Sequence, residues 1–294
     1  VKPADFGYYR PTTVQEAVSL LAKLGPDAKV LAGGQSLLPL MNFRLARPSY
    51  LVDINKIPEL GLISREQDKV RIGALVRHAT LLSDPTIREC LPILAETARY
   101  IGHLHIRNRG TFGGSVVHAD AAAELPVASV ALGANFRLVG PAGERIIPAE
   151  DFFLTYLTTV IEPGELLVEI EIPVLSPKTG FGVREISRRH GDFAIVLVIA
   201  LLELAADDTC QDVRFVVGGV SDTPLRVAEV EEYLIGRPVT EETLAQAAAL
   251  AADVCEPEAD LHASADYRRE MVKVLGSKAL QDALSRVKGA TFHV

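Results

Sequence analysis

Val30-Leu31-Ala32-Gly33-Gly34-Gln35-Ser36-Leu37 is the stretch on which the fold turns. A short apolar run ends in two glycines and a polar pair, followed by Leu37-Leu38-Pro39-Leu40. Glycine reaches φ > 0 without a Cβ clash, so the pair fits a tight turn. It fits equally a backbone that approaches a ligand, with free N–H groups directed at phosphate oxygens. Turns are the commoner of the two, and one pair leaves both readings open. A second pair, Thr111-Phe112-Gly113-Gly114-Ser115, makes the ligand reading worth following.

Working outward, residues 29–32 read as a strand entering the first glycine loop and residues 50–54 as a second strand. Upstream, Thr13-Val14-Gln15-Glu16 is a capping-box pattern: Thr13 caps the first helical N–H groups and Glu16 reaches back. Val14, Ala17, Val18, Leu21 and Ala22 then recur at helical spacing, and Gly25-Pro26 stops the helix. Residues 1–56 thus read as a β-α-β type lobe with its helix before the glycine loop. A Rossmann unit instead runs from strand through G-x-G-x-x-G into a helix. That pattern and the Walker A lysine motif are missing from the sequence.

A second lobe, residues 57–175, opens with an expected strand at 69–75. A helical stretch over 86–100 should break near Pro92. Residues 102–110 read as a polar, basic loop feeding the second glycine pair. Residues 119–134 read as one buried helix with carboxylates at one end, and strands are expected at 136–139, 145–147 and 166–173. Ser176-Pro177-Lys178-Thr179-Gly180 is a linker, which leaves residues 180–294 as a C-terminal domain. There, strands are expected at 194–204 and 213–220, and helices at 240–254 and 265–287, the last basic on its outer face.

At 294 residues the chain has room for two domains of about 150 residues each. No apolar run approaches the ~18–20 residues of a membrane span, and Val1-Lys2-Pro3-Ala4-Asp5 lacks a signal-peptide core. The chain reads as soluble and cytoplasmic. A formal charge of −8, with no basic run, disfavours nucleic acid and anionic membranes as partners. Cys90, Cys210 and Cys255 lack the spacing of a zinc or iron–sulfur site and read as buried structural thiols.

Among chemical candidates, His103, His105 and His118 form a weak metal pattern with no acidic ligand fixed beside them. Ser36 or Ser115 with His118 and Asp120 suggests a hydrolase, but G-x-S-x-G is missing. The phosphate reading has more internal support. Arg107 and Arg109 place positive charge just before the second glycine pair, and Arg184, Arg188 and Arg189 form another basic group. Ion pairs on a solvated face account for the same arginines. The residues alone leave a dinucleotide binder of non-Rossmann type as one open reading.

Ala32-Gly33-Gly34-Gln35-Ser36 and Thr111-Phe112-Gly113-Gly114-Ser115 resemble the two FAD-pyrophosphate motifs of the medium, flavin-carrying subunits of molybdenum hydroxylases. Tyr9-Arg10-Pro11, Asn42-Phe43-Arg44-Leu45-Ala46-Arg47-Pro48, Arg107-Asn108-Arg109-Gly110-Thr111, His118-Ala119-Asp120 and Ser187-Arg188-Arg189 extend the resemblance over nearly the whole chain. It implies an α+β fold: a two-lobed vanillyl-alcohol-oxidase-type FAD domain followed by a smaller α+β domain. It implies one non-covalent FAD here, with [2Fe-2S] clusters in a small partner subunit and a molybdopterin-type molybdenum cofactor in a large one. The expected assembly is a dimer of heterotrimers in which electrons reach this flavin and leave to an external acceptor.

The resemblance also implies site residues. Backbone N–H groups of Gly33, Gly34, Gln35 and Ser36, flanked by Ala32 and Leu37, would meet the pyrophosphate, with the Ser36 hydroxyl. Thr111, Gly113, Gly114 and Ser115 would do the same from the second lobe. Glu124 falls at an acidic position near the ribityl or adenosine portion, Leu167 at an apolar contact, and Arg184 at a basic position near the flavin. Carbon monoxide dehydrogenases of this type tend to carry histidine in place of Gln35 and isoleucine or leucine in place of Phe112. Both departures point towards an N-heterocyclic or aromatic substrate for the complex. A carbon monoxide dehydrogenase medium subunit, a flavin-less structural subunit of the same fold and a stand-alone FAD oxidase are the alternatives.

Overall fold

The computed structural model describes residues 2–289; Val1 and residues 290–294, which the sequence reading assigned to the first and last domains, lie outside the described residues. In the first lobe β1 (Gly7–Tyr9), α1 (Val14–Leu24), β2 (Ala28–Leu31), α2 (Leu37–Asn42) and β3 (Tyr50–Asp53) form a parallel sheet of order β1-β3-β2 with its helices. Helix α1 forms where the apolar spacing predicts, burying Ala17, Val18 and Leu21. Thr13 accepts from Glu16 N at 3.2 Å, but the Glu16 carboxylate accepts from Thr12 N at 2.8 Å, one residue earlier than a capping box requires. The sequence reading missed β1 and α2. Because α2 exists, the first glycine pair does lead from a strand into a helix, although without the Rossmann glycine spacing.

The second lobe begins with β4 (Ile63–Glu66) and β5 (Lys69–Gly73). The helices α3 (His78–Ser83), α4 (Pro85–Cys90) and α5 (Pro92–Thr97) follow, with α4 and α5 parting at Leu91 where Pro92 cannot continue the turn. Next come α6 (Leu104–Arg109), α7 (Phe112–His118) and α8 (Glu124–Ala131). The polar stretch expected as a loop is therefore mostly the helix α6. The single helix expected over 119–134 is shorter, because Ala119 adopts φ 53° and Asp120 turns the chain by accepting from Ala122 N at 2.9 Å. The strands β6 (Asn135–Gly140) and β7 (Gly143–Pro148), helix α9 (Ala149–Phe152), and strands β8 (Phe153–Thr155), β9 (Thr158–Thr159) and β10 (Leu166–Pro173) complete the lobe. Its antiparallel sheet has the order β4-β5-β10-β6-β7. The lobes share a core: Leu75, Val139, Leu166 and Val168 of the second pack with Val18, Leu21 and Val52 of the first.

The C-terminal part forms the antiparallel sheet β11 (Gly180–Ser187), β12 (Ala194–Leu204), β13 (Cys210–Gly218) and β14 (Leu225–Arg226), with α10 (Ala228–Leu234), α11 (Glu241–Val254) and α12 (Ala265–Val287). Strand β12 is apolar almost throughout because both its faces are covered. Leu197, Ile199 and Leu201 join the second-lobe core, while Val196, Val198, Ala200 and Leu202 face the C-terminal helices. Helix α12 is not basic only on its outer face: Arg268 is buried against Asp260, and Arg286 reaches back to Glu96 at 2.6 Å. All three cysteines are buried and free, and among the described residues no helix is long and apolar enough to cross a membrane.

Helix α12 lies so close to β11 that a Cβ at Gly182 would overlap the Ala279 carbonyl, 2.7 Å from its carbon. Gly182→Ala should therefore destabilise the protein by about 1–3 kcal/mol, because backbone rather than a side chain must give way. Gly61, with nothing within 4 Å of an added Cβ, is the control. Denaturant midpoints measure both; equal midpoints for the two alanine variants would contradict the packing.

Candidate functional site

The first glycine pair lies in the turn between β2 and α2, at the seam of the two lobes. Gly34 has φ 73°, a region that L side chains occupy only under strain. Gly33 is required for a different reason: a Cβ there would strike the Arg109 carbonyl and sit 2.8 Å from Gly110 Cα. The lobes thus touch backbone to backbone. Gln35 Nε2 donates to Gly33 O at 3.0 Å and closes the loop on itself. Among the described residues nothing accepts from the backbone N–H groups of Ala32, Gly33, Gly34, Gln35, Ser36 and Leu37. Ser36 stands at the N-cap of α2 without using its side chain there. This half-buried row of unspent donors suits a multiply charged anion.

The second glycine pair is built differently. Gly113 and Gly114 are in the first turn of α7, not in a loop. Phe112 N donates to Val76 O at 2.9 Å, Gly113 N to Ala74 O at 2.9 Å and Ser115 N to Thr111 O at 3.0 Å. Gly114 N donates to Thr111 Oγ1 at 3.0 Å. Of the expected donors, Gly113, Gly114 and Ser115 N already have protein partners, while Thr111 N has none among the described residues and Thr111 is buried. The Ser115 hydroxyl makes no hydrogen bond among the described residues and is this motif's remaining side-chain donor. Both glycines are needed for packing, since a Cβ at Gly113 would lie 2.6 Å from Ala74 Cβ and one at Gly114 2.7 Å from Thr111 Oγ1.

Beside the first loop a cleft of about 250 Å³ is lined by Arg10, Ala32, Gly33, Asp53, Asn55, Arg77 and Arg109. Asp53 accepts from Tyr8 OH, and from Asn55 N at 2.9 Å, with Arg10 Nε at 3.7 Å. Burial pushes the Asp53 carboxyl up, but the bonds from Tyr8 and Asn55 together with Arg10 hold it below its ordinary value. Arg109 was legible as a basic residue before the second motif, and Arg10 within a family-like tripeptide. Tyr8, Asp53, Asn55 and Arg77 were not, because nothing local distinguishes them from other polar residues in or just after a strand.

Glu124, Leu167 and Arg184 line no part of this cleft. Leu167 is buried in the second-lobe core opposite Leu138. Arg184 lies on β11 and holds Asp282 with two bonds of 2.6 and 2.8 Å. Glu124 starts α8 and is buried; loss of water, followed by the charge of Asp120, pushes its carboxyl up to about 7. Burial and then the charge of Glu124 push Glu185, on β11, up to about 8, and its Oε2 is buried without a hydrogen-bond partner.

Fold and loop together define a flavoprotein subunit. Residues 4–175 match the family described as the FAD binding domain in molybdopterin dehydrogenase, and residues 182–283 match the CO dehydrogenase flavoprotein C-terminal domain. The chain is 43% identical over 288 residues to the 6-hydroxypseudooxynicotine dehydrogenase complex subunit alpha of Paenarthrobacter nicotinovorans, covering 98% of this chain and 97% of that one. It is 40% identical over 284 residues to the carbon monoxide dehydrogenase medium chain of Hydrogenophaga pseudoflava, covering 97% and 99%. The solved carbon monoxide dehydrogenase of H. pseudoflava superposes with a TM-score of 0.95 over 97% of this chain and 99% of that one. Quinoline 2-oxidoreductase of Pseudomonas putida 86, at 38% identity, gives 0.93 over 99% and 100%. The chain belongs to the FAD-binding medium subunits of the molybdenum hydroxylases, a family of oxidoreductases.

Glu124 and Glu185 give the fold a pH dependence. Their folded values, about 7 and about 8, exceed the ordinary 4.5, so the native state binds the extra protons. The stability this contributes is complete below the unfolded value and is lost as pH rises through the folded ones. The apoprotein should therefore melt at progressively lower temperature from pH 5 to pH 8. Glu185→Gln should flatten that slope and stabilise the apoprotein at pH 8 by roughly 1–3 kcal/mol, because it removes a buried charge without a partner. Melting curves of both proteins across this pH range test it; parallel slopes would count against it.

Proposed function

We propose that this chain carries electrons out of a three-subunit molybdenum hydroxylase. It holds one FAD non-covalently, receives electrons from [2Fe-2S] clusters of a small subunit and passes them to an external acceptor. A large subunit with a molybdopterin-type molybdenum cofactor hydroxylates an N-heterocyclic or aromatic substrate. The assembly is a dimer of heterotrimers in the cytoplasm, and the chain divides into a FAD-binding domain, residues 1–175, and a C-terminal domain, residues 180–294. The observation that carries the reading is the row of unspent N–H groups from Ala32 to Leu37 beside a cleft with three arginines. Such donors are satisfied by the oxygens of a pyrophosphate.

The chain's own residues bind and orient. The N–H groups of Gly33, Gly34, Gln35 and Ser36, between Ala32 and Leu37, hold the pyrophosphate from the first lobe together with the Ser36 hydroxyl. From the second lobe Thr111, Gly113 and Gly114 shape the α7 start, and Ser115 offers its hydroxyl. Glu124 approaches the ribityl or adenosine portion, Leu167 supplies an apolar contact, and Arg184 is a basic residue at a position that approaches the flavin. The isoalloxazine, when bound, supplies the exchange between two-electron and one-electron chemistry. Gln35 and Phe112 favour an N-heterocyclic or aromatic substrate for the complex. Carbon monoxide is the second reading, supported by the 40% identity to a carbon monoxide dehydrogenase medium chain.

Purified with its partner subunits, the protein should release FAD on denaturation, read as flavin fluorescence of the extract; a complex that carries its iron–sulfur clusters yet releases no flavin would sink the proposal. Gly34→Asp places a strained residue at φ 73° and drives its side chain into Leu38 and Leu31, 2.9 and 3.1 Å from the new Cβ. It should lower flavin content by about tenfold or more, since a strain of about 1–2 kcal/mol adds to the displacement of the loop. Acceptor-dye reduction by the wild-type complex with carbon monoxide, or with a panel of N-heterocycles, separates the two substrate readings.

A further inference from the structure

We infer that Arg77 and Asn55 form a strap between the lobes that positions the first glycine loop for the cofactor's pyrophosphate. This deepens the FAD reading above and rests on it. Arg77 belongs to the second lobe, at the N-cap of α3. Its Nη1 donates to the Arg109 carbonyl, two residues before the second motif, and its Nη2 donates to Asn55 Oδ1 at 2.7 Å. Asn55 belongs to the first lobe, just after β3, and its Nδ2 donates to Ala32 O at 2.8 Å. One guanidinium and one amide therefore join the approach to one glycine motif to the start of the other.

The last bond sets the geometry of the loop. In a planar trans peptide the carbonyl and the following N–H point in opposite directions. Holding Ala32 O from the Asn55 side fixes the direction of Gly33 N–H, the second donor of the unspent row. Asn55 is oriented from both ends: Arg77 uses its one amide oxygen, and its amide nitrogen donates to Asp53 Oδ1 at 2.6 Å as well as to Ala32 O. Only the forked guanidinium reaches two acceptors in different lobes at once.

Charge supplies a second, independent argument. Arg77 is half-buried beside Arg109, and both of its acceptors are neutral. Among the described residues neither arginine forms a salt bridge, whereas Arg10 has Asp53 within 3.7 Å. Burial and then the charge of Arg109 hold Arg77 below its ordinary value, Asp53 in the same cleft offsets them only in part, and an anion between the two guanidinium groups relieves the repulsion. The strap thus brings positive charge to the anion site as well as shape.

The test uses the full chain, stripped of flavin and titrated with FAD, with inorganic pyrophosphate as competitor. Arg77→Met and Asn55→Ala should each weaken FAD binding by roughly tenfold to a hundredfold, as expected for losing hydrogen bonds to a charged group. The double variant should bind about as weakly as the worse single one, because the two residues act in series. Arg77→Lys keeps the charge without the fork. It should stay nearly as weak as Arg77→Met for FAD yet still be competed by inorganic pyrophosphate, an outcome that general loosening of the fold does not produce. Should Arg77→Met fail to fold, Asn55→Ala, which removes one short side chain, carries the test. Unchanged FAD affinity in Asn55→Ala, fully additive losses, or complete rescue by lysine would overturn the strap while leaving the FAD reading intact. A wild-type chain that binds no FAD would overturn the reading beneath it.

Discussion

Gly33 meets the backbone of Arg109 and Gly110 with no side chain between them, and the rest of the site depends on that approach. Any Cβ at position 33 would press the lobes apart. With the lobes in contact, Arg77 spans the seam to Asn55, and Asn55 in turn holds Ala32 O beside Gly33. The two lobes also share one apolar core, so the seam is a packed surface and not a hinge. The closeness of the glycine motifs is thus held from below by hydrophobic contact and from above by hydrogen bonds.

The motifs divide the work unequally. In the second, the α7 turn consumes its own N–H groups and gives a stiff wall. In the first, a row of donors has no acceptor among the described residues. Buried amide groups left without partners cost about 1–3 kcal/mol each, so such a loop persists where water or an anion completes it. The chain's net charge is −8, yet Arg10, Arg77 and Arg109 converge on this one cleft. Local field, not overall charge, therefore describes the ligand.

The C-terminal sheet is joined to the cofactor domain by the two covered faces of β12 and by the Arg286–Glu96 ion pair. Glu185 lies on β11 in this sheet, and the charge of Glu124 on α8 reaches it across the junction. That placement makes the stability of the whole chain sensitive to protons bound between its parts.

Short windows of sequence made several elements legible. The apolar spacing of Ala17, Val18 and Leu21 specified α1, Pro92 broke a helix, and the unbroken apolar run of β12 read as a strand. The first glycine pair was legible as a turn, and pairing it with the second raised the dinucleotide reading. Helix α6 was hidden because its six residues bury no apolar face and so show no helical spacing, and α7 because its Gly-Gly pair has poor helix propensity that the burial of Phe112 and Val116 overrode. The sequence by itself determined which backbone segments are able to approach a phosphate, since that requires glycine at known positions. Only the tertiary structure decided which N–H groups remain unspent, and which arginine holds the loop. The bonds concerned join residues 22 and 32 positions apart, and no local pattern encodes a partner at that distance.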